Sequence, residues 1–401
     1  MSDFYPHNLR DWSRLEQTLD VRAARSPVSF LWRWLFFRSQ PSPQPQSGEK
    51  RLLIVRTDRI GDYLLFRNFL PVFRASAAYR DWRITYCGNL VYRDLAETYD
   101  RTWVDQFIWV DRRCFFRSAF YRYRLFGRIA QIGFAAAFQP AFSRDVCADL
   151  LVLASRAPLR AGVDGDSAAE KPAHLAVTRA FYNHYIKVEP KPKFEFYRNR
   201  EVVERFLGEP APIAKPTLPA PPEMNCRSVP YAVLAGGAAS RFKQWPFFGS
   251  IAEYLHSRYG LRVYLTGLGG KEHRRLLRSL TKMQRRMMVD LCGRTTLVEL
   301  AALIAGAVVV VANDTGAMHM AAMLGRPTIC VSGGTNAVRF NLYPSDFRLN
   351  LAVVFPPSVE AMTPEELASR FIEYSENHEL AEISVERVCA AIDQLLTQSK
   401  K

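Results

Sequence analysis

The chain lacks the patterns that define several common classes of protein. Its 7 cysteines are scattered, odd in number and never spaced as C-x-x-C, which supports neither a disulfide framework nor a zinc site and fits a reducing cytoplasm. No apolar run reaches the roughly 20 residues of a membrane span, and the acidic N-terminus is unlike a signal peptide. No H-E-x-x-H, P-loop or G-x-S-x-G motif occurs. We expect neither export nor a membrane span, and no metal or cofactor.

Acidic residues are also clearly fewer than basic residues. The chain has 39 Asp and Glu against 54 Lys and Arg, a net charge of +15 at pH 7. Such an excess favours acidic partners: nucleic acid, an anionic membrane surface or phosphorylated substrates. The length of 401 residues and the 48% of hydrophobic residues are ordinary for a globular protein of two domains.

Apolar strands alternate with helical stretches, and the alternation occurs twice. The strands predicted in the first half are Arg51–Arg56, Ile84–Cys87, Phe107–Val110 and Ile132–Ala136. Those predicted in the second half are Tyr231–Ala235, Arg262–Thr266, Ala307–Val311 and Thr328–Val331. This pattern predicts an α/β protein of two doubly wound domains, with a ligand cleft between them at the carboxyl ends of the strands.

Composition suggests the domain boundaries. We predict an N-terminal extension over residues 1–48, a first domain over 49–190, a proline-rich linker over 191–228, a second domain over 229–350 and C-terminal helices over 351–401. Within the extension, residues 39–47 form a proline-rich linker. Residues 30–38 set arginines among Phe and Trp, which suits either a membrane interface or a helix docked on the protein itself.

The turn Asp314-Thr315-Gly316 lies between a run of valines and a helix predicted at Ala317–Leu324. Free backbone N–H groups and the positive end of the helix dipole meet at such a turn, which suits a phosphate group. The alternative is a helix start capped by Asp or Thr. Other turns at strand ends carry unusual residues; they are Thr57–Asp62, Gly236–Pro246 and Thr266–Glu272.

In these turns the chain resembles glycosyltransferase family 9, the heptosyltransferases of lipopolysaccharide core assembly. The resemblance covers roughly residues 50 to 345. Its most specific parts are the Lys243-x-Trp245-Pro246 element and the Asp314-Thr-Gly-x-x-His319 turn. It implies a GT-B fold, in which two Rossmann-like domains face a central cleft. The second domain would hold ADP-heptose and the first would hold the acceptor.

The resemblance also implies roles for single residues. Asp62 matches the family's proposed general base, with a helix-terminus aspartate as the alternative. Glu272 resembles the acidic residue that binds the nucleotide ribose. A cation at Lys243 could neutralise the departing diphosphate. Arg59 could contact anionic groups of the acceptor.

The remaining predicted donor contacts surround the diphosphate. Backbone N–H groups of Thr315 and Gly316 would bind it, and Asp314 would fix the turn or meet the sugar. For His319 a hydrogen-bonded structural role is a strong alternative to donor binding. Many relatives carry threonines ahead of the lysine, where this chain has Gly237-Ala-Ala-Ser240, so a hydroxyl contact would fall to Ser240. The family's acceptor loop has no clear match around residues 139–144.

Two other motifs are weaker. Gly267-Leu-Gly-Gly270 begins like a dinucleotide fingerprint, but Glu272 occupies the final glycine position, which disfavours a nicotinamide enzyme. Asp164-Gly-Asp166 could pass for a metal-binding D-x-D. We interpret it as a solvated turn, because no clear strand leads into it.

A basic segment at Arg112–Arg128 has 6 arginines, 6 Phe or Tyr residues and no acid. On one helix its arginine stripe would include Arg113, Arg117, Arg124 and Arg128, with aromatics opposite. The stripe suits the acceptor, an acidic glycolipid such as a lipid A-core precursor, and an anionic membrane surface. The alternatives are a solvated basic face over a buried aromatic one, and nucleic-acid binding.

The sequence thus predicts an inverting, metal-independent glycosyltransferase at the cytoplasmic face of a bacterial inner membrane. It would move a heptose from ADP-heptose, its co-substrate, to a lipopolysaccharide core acceptor. One alternative is a relative that uses another nucleotide sugar or a protein acceptor. A second, of another class, is a scaffold that binds nucleic acid or membranes without catalysis.

Overall fold

The fold is described from a computed structural model that covers most of the chain. The described residues are Leu15, Thr18, Leu19 and residues 48–221, 229–238, 243–369 and 379–398, without the side chains of Glu272, Ser369 and Glu379. The chain divides into two compact units. The first comprises Met1–Lys191 and Tyr197–Ile213, and the second comprises Pro192–Phe196 and Ala214–Lys401. The segments at residues 30–38 and 39–47 lie outside the described residues.

Six parallel strands form the sheet of the first unit. They are β1 (Arg51–Arg56), β2 (Arg83–Asn89), β3 (Gln106–Val110), β4 (Ala136–Gln139), β5 (Leu159–Asp164) and β6 (His184–Lys187). The helices are α1 (Ile60–Arg67), α2 (Leu70–Ala75), α3 (Arg93–Tyr99), α4 (Arg112–Arg117), α5 (Ala119–Ile132), α6 (Val146–Ala154), α7 (Pro172–Thr178) and α8 (Glu195–Leu207). Short 3-10 turns lie at Leu90–Tyr92 and Arg179–Phe181.

The second unit repeats this plan with six further parallel strands. They are β7 (Tyr231–Ala235), β8 (Arg262–Thr266), β9 (Met288–Asp290), β10 (Val309–Asn313), β11 (Thr328–Val331) and β12 (Leu351–Val354). The helices are α9 (Phe248–Tyr259), α10 (Lys271–Ser279), α11 (Lys282–Met287), α12 (Leu297–Ala305), α13 (Gly316–Met323), α14 (Ala337–Phe340), α15 (Pro357–Glu360), α16 (Pro364–Ser369) and α17 (Val385–Gln398). Further 3-10 turns lie at Ser345–Phe347 and Glu379–Glu382.

The lateral order of the strands locates the functional edge of each sheet. The orders are β3-β2-β1-β4-β5-β6 and β12-β11-β10-β7-β8-β9, which are the same doubly wound arrangement. The order reverses between β1 and β4 in one unit and between β7 and β10 in the other. Loops that follow these strands flank the crevice in which such sheets bind ligands. The predicted α/β fold of two doubly wound domains is therefore confirmed.

Burial explains why the central strands were predictable. All five residues of β7 and of β10 are buried, as are five of the six in β1, because helices cover both faces of a parallel sheet. Burying one such Val, Leu or Ile side chain contributes about 1.5–3 kcal/mol. The core thus fixes the strand ends from which the candidate site residues project.

Two predicted elements are wrong. The strand predicted at Ile132–Ala136 is a helix end followed by a strand start: α5 ends at Ile132, Gly133 adopts the left-handed conformation with φ 73°, and β4 begins at Ala136. The single helix predicted over the basic segment is two helices. Ser118 is extended, and its hydroxyl accepts a hydrogen bond from the Tyr121 N–H at 3.2 Å, which starts a second helix there.

Four further expectations need correction. The predicted turn Thr57–Asp62 ends within a helix, because Asp62 is the third residue of α1. A strand does lead into Asp164-Gly-Asp166, since β5 ends at Asp164. The segment predicted as a linker over residues 191–228 contains α8, a helix of 13 residues. The region predicted as C-terminal helices over 351–401 begins instead with the strand β12, which pairs with β11. Within the part of the chain that the structure describes, no helix is both long and apolar enough to cross a membrane.

Candidate functional site

In the second unit, a fully buried amide organises the loops that flank the reversal of strand order. Asn313 is the last residue of β10 and is completely buried. Its Oδ1 accepts a hydrogen bond from the Trp245 N–H at 3.1 Å, and its Nδ2 donates to the Gly236 carbonyl at 2.9 Å. Trp245 is itself fully buried, and its Nε1 donates to the Ile383 carbonyl at 2.9 Å. Both ends of the loop after β7 are thereby fixed to the sheet.

Lys243 and Asp314 form an ion pair at this edge of the sheet. Lys243 lies two residues before the anchored Trp245, and its Nζ is 2.5 Å from Asp314 Oδ2. The side chains are 26% and 10% exposed. Burial alone would raise the pKa of Asp314, but the Lys243 ammonium and the Asn341 amide outweigh burial and lower it. The carboxylate is therefore ionised, and it holds a partly exposed cation in place.

The other oxygen of Asp314 is held from the far side. Asn341 Nδ2 donates to Asp314 Oδ1 at 2.8 Å, and Asn341 Oδ1 accepts from the Ser332 hydroxyl at 3.0 Å. Asn341 and Ser332 are buried. Both carboxylate oxygens of Asp314 thus have partners, which fixes its orientation.

The helix that follows Asp314 begins at Gly316, one residue before the predicted start at Ala317. Thr315 is the N-cap of α13, with extended backbone, and Gly316 is its first residue. The Thr315 side chain makes no capping hydrogen bond, so it does not use the backbone N–H groups of the first turn, which such caps normally satisfy. An anion bound at this turn would meet those N–H groups and the positive end of the helix.

His319 lies one turn into the same helix and is 3% exposed. Its Nδ1 is 2.7 Å from the Tyr343 hydroxyl. Burial, with Lys243 nearby, lowers the pKa of His319 to about 4, although Asp314 opposes the shift. Burial raises the pKa of Tyr343 well above its usual value, so the phenol keeps its proton and the hydrogen bond joins two neutral groups. This geometry is that of a hydrogen-bonded structural histidine; donor binding stays a prediction.

The side chains of two predicted donor residues lie outside the described part of the structure. Ser240 lies outside the described residues, and Glu272 is the second residue of α10 with its side chain outside the description. Their roles stay predictions. Sequence reasoning in turn missed Asn313, Asn341 and Tyr343. The sequence does offer an indication for Asn313, because this polar residue ends an apolar run directly before Asp314.

In the first unit, the loop after β1 is held by hydrogen bonds from Arg56 and Asn89. Arg56 is buried at the end of β1, and its guanidinium donates to Asp58 Oδ2 and Asn199 Oδ1, each at 2.8 Å. Asn89, at the end of β2, donates through Nδ2 to the carbonyls of Thr57 and Asp58 at 3.2 and 3.0 Å. The backbone leading to Asp62 is therefore fixed.

Asp62 lies in the first turn of α1 with its side chain partly exposed. Its Oδ2 accepts a hydrogen bond from the Arg59 N–H at 3.3 Å. This contact is the one expected of a helix-terminus aspartate. The general-base role implied by the family resemblance stays a prediction. Arg59 is exposed beside it.

The arginines of the basic segment separate into two groups. Those predicted for acceptor binding are exposed, as is the fourth of the stripe; they are Arg113, Arg117, Arg124 and Arg128. Phe120 is 40% exposed beside Arg124, while Phe115 and Phe126 are buried. Arg122 is buried and donates to the Phe115 carbonyl at 2.6 Å. All four arginines of the predicted stripe are therefore exposed, but they lie on two helices instead of one.

Arg112 makes contacts that the sequence analysis did not predict. Its Nη1 donates to Asp145 Oδ2 at 2.7 Å and to the Thr57 hydroxyl at 3.1 Å, and the Asp145 carboxylate raises the pKa of the guanidinium. Asp145 in turn caps α6, accepting from the Ala148 N–H at 3.0 Å. Arg112 thereby joins the basic segment to the loops that follow β1 and β4.

The carboxylates of the D-x-D motif have separate partners. Asp164 pairs with Arg179 at 2.8 Å, and Asp166 accepts from the Ser143 hydroxyl at 2.6 Å. The turn interpretation is retained, although its premise of a missing strand was wrong.

The chain matches a known protein family and is similar to two of its characterised relatives. Residues 145–361, more than half of the chain, match glycosyltransferase family 9 (heptosyltransferase). The chain is 31% identical over 156 residues to lipooligosaccharide heptosyltransferase 2 of Haemophilus influenzae, covering 38% of this chain and 40% of that protein. It is 32% identical over 196 residues to lipopolysaccharide heptosyltransferase 1 of Salmonella typhimurium, covering 44% and 55%. The matches thus span about half the length of these relatives.

Solved structures show the fold. The E. coli ADP-heptose lipopolysaccharide heptosyltransferase II has a TM-score of 0.63 at 19% identity, over 88% of this chain and 100% of that one. The E. coli heptosyltransferase WaaC with ADP has a TM-score of 0.65 at 21% identity, over 87% and 99%. These likenesses confirm the GT-B class of fold. With more than half of its residues matching the family, the chain belongs to glycosyltransferase family 9.

Proposed function

We propose that the protein is an inverting glycosyltransferase that moves a heptose from ADP-heptose to a lipopolysaccharide core acceptor. The observation that carries the proposal is the ion pair of Lys243 with Asp314, beside the uncapped start of α13. A cation beside a helix start that the Thr315 side chain does not cap suits a diphosphate. The names of the relatives, both heptosyltransferases, and the E. coli relative solved with ADP support the choice of donor.

The transfer is a single displacement. The acceptor oxygen forms a bond to C1 of the sugar from the face opposite the diphosphate, while the bond from C1 to the diphosphate oxygen breaks. The hydroxyl proton passes to Asp62, and the electron pair leaves with ADP. Lys243, Thr315 and Gly316 stabilise the negative charge that grows on the diphosphate. Asp314 acts by holding Lys243 in position, because its second oxygen is fixed by Asn341.

The acceptor is assigned to the first unit. The exposed guanidinium groups of Arg59, Arg113, Arg117 and Arg124 provide positive charge for the phosphates and carboxylates of an acidic glycolipid. The same stripe would attract the anionic cytoplasmic leaflet of an inner membrane, where we propose that the protein is peripherally bound. The net charge of +15 favours both contacts.

Donor recognition can be tested by thermal unfolding with ADP-, UDP-, GDP- and CMP-sugars. An ADP-sugar at 100 times its Kd should stabilise the protein by about 2.7 kcal/mol, and Lys243→Ala should weaken this effect. Lys282→Ala, an exposed lysine of the same unit, serves as the control. A shift with UDP-, GDP- or CMP-sugars alone would point to another donor, and no shift with any sugar nucleotide would contradict the donor site.

Catalysis can be tested by ADP release with a lipid A-core precursor. Asp62→Asn should lower kcat by roughly 10²–10⁴-fold, as expected for loss of a general base. Asp94→Asn is the matched control, because Asp94 is also a partly exposed acid in the first turn of a helix. Equal rates for both variants would remove Asp62 from the mechanism. Binding to nucleic acid at physiological salt without any ADP release would favour the scaffold alternative.

A further inference from the structure

At the carboxyl ends of β8 and β9, three side chains with metal-binding atoms come together. They are His273, in the first turn of α10, Asp290, the last residue of β9, and Cys292. His273 Nε2 is 2.7 Å from Asp290 Oδ2, and the three donor atoms all lie within 4.8 Å of one another. The His273 and Asp290 side chains are 19% and 30% exposed, whereas Cys292 is buried.

The backbone brings these residues together although they are distant in sequence. β9 pairs with β8 in parallel, and the N–H groups of Leu291 and Gly293 donate to the carbonyls of Leu265 and Gly267, each at 2.9 Å. Gly293 has φ +70°, and a Cβ there would lie 3.0 Å from the Gly269 Cα. Glycine at this point lets the end of β9 approach the glycine-rich turn that starts α10.

Asp290 is also oriented for a ligand role. Its Oδ1 accepts a hydrogen bond from the Cys292 N–H at 3.0 Å, while Oδ2 faces His273. Such an outer hydrogen bond fixes the direction of a ligating carboxylate. The group therefore presents a nitrogen, an oxygen and a sulfur donor from three separate backbone positions.

We propose that His273, Asp290 and Cys292 bind a divalent transition metal ion of the Zn²⁺ class. Zinc takes imidazole, carboxylate and thiolate ligands at about 2.0–2.3 Å in tetrahedral geometry, so its donors fit within the observed 4.8 Å. Mg²⁺ and Ca²⁺ prefer all-oxygen ligands and would not select a thiol. Three protein ligands leave a fourth position for water or another small ligand.

The ion would connect the start of α10 to the end of β9. It has no assigned part in sugar transfer, and the inference stands whether or not the proposed function is correct. Because the ligands belong to folded elements that meet only in the native state, the ion would stabilise that state by mass action. The expected signature is a metal-dependent rise in the unfolding temperature.

The test uses untagged full-length protein, freed of metal with a chelator and titrated with Zn²⁺ against a chromophoric competitor. We expect one ion per chain. His273→Ala and Cys292→Ser should each weaken binding by at least about 10-fold, given that even outer-sphere changes cost 10–100-fold. Co²⁺ should give a near-ultraviolet thiolate charge-transfer band that Cys292→Ser abolishes.

Two control variants match the ligands in type. His174→Ala removes a histidine paired with Glu170 at 2.8 Å, and Cys389→Ser removes a partly buried thiol. Both should bind Zn²⁺ as the wild type does. Should Cys292→Ser fail to fold without metal, Asp290→Asn provides the variant. The proposal is overturned if the wild type binds no Zn²⁺, or if the ligand variants bind it as tightly as the controls. Donor-induced thermal shifts, measured separately, report on the proposed function.

Discussion

The turns that follow β1 and β10 each flank the point where the strand order of their sheet reverses, but they are held differently. After β10, the buried Asn313 clamps the neighbouring loop, and Asp314 is fixed on both oxygens by Lys243 and Asn341. After β1, backbone carbonyls are held by Asn89, while the partly exposed Asp62 accepts a hydrogen bond from the N–H of Arg59 at its own helix start. The same strand order thus supports one preorganised cationic turn and one turn with a partly exposed carboxylate.

This difference fits a division of chemical tasks. A group that stabilises developing charge gains most from a fixed position, because no reorganisation is then needed during the reaction. A general base must instead reach a hydroxyl of a separate substrate. Substituting one residue in each turn tests whether the two turns are held differently.

The largest expected effect is at the amide clamp of the second unit. Asn313→Leu should destabilise that unit by about 3 kcal/mol, because it leaves the buried Trp245 N–H and Gly236 carbonyl without partners. Native-state amide hydrogen exchange of β7 and β10 measures the loss. The counterpart, Asn89→Leu, should cost the first unit about 1 kcal/mol, since Asn89 is only partly buried. Equal losses in both units would show that the two turns are held alike.

An effect of similar size, but dependent on pH, should come from the buried histidine. The pKa of His319 is about 4 in the folded chain, against 6.5 for an unperturbed histidine. Between these values the unfolded chain binds more protons, so stability rises with pH. The contribution is complete above pH 6.5 and is lost as the pH falls to 4. At 1.36 kcal/mol per pH unit the loss is about 3 kcal/mol at most.

The measurement compares urea unfolding of the wild type and His319→Gln between pH 4 and 7.5. The variant lacks the titrating ring, so its stability should depend less on pH across this window. His174→Gln provides the control in the first unit. If His319→Gln follows the wild-type profile, the histidine is not held neutral and its pairing with Tyr343 needs revision.

The sequence predicted the second unit better than the first, and composition explains why. β7, β8 and β11 were predicted at their observed residues because they are continuous apolar runs with start and stop signals. β1 of the first unit was also predicted at its observed residues, whereas β5 and β6 of that unit and β9 and β12 of the second unit were missed. β5 contains Arg160, which is buried and donates to the carbonyls of Phe181 and Ala157, so tertiary contacts override its polar character.

Local sequence patterns also failed to predict which site residues contact each other. Lys243 and Asp314 were each predicted from a local turn, but the ion pair joins positions 71 residues apart, and no local pattern encodes it. Asn341 and Tyr343 lie in a segment that gives no sign of chemistry, and the fold alone brings them to Asp314 and His319. In contrast, Gly133 was a visible helix stop in the segment mistaken for a strand.

The smallest expected effect on stability is at Asp62, and it separates structure from chemistry most clearly. Asp62→Ala removes the partly exposed carboxylate that accepts from the Arg59 N–H at the start of α1, and it should cost about 0.5–1 kcal/mol. If Asp62 is only a helix-terminus residue, ADP release should fall no more than it does for Asp94→Ala, which changes an acid in the first turn of α3. If it is the general base, release should fall at least about 100-fold while donor binding is unchanged. Unfolding by urea and single-turnover ADP release on the same two variants decide the matter, because a stability loss of this size cannot by itself produce a 100-fold loss of rate in a folded enzyme.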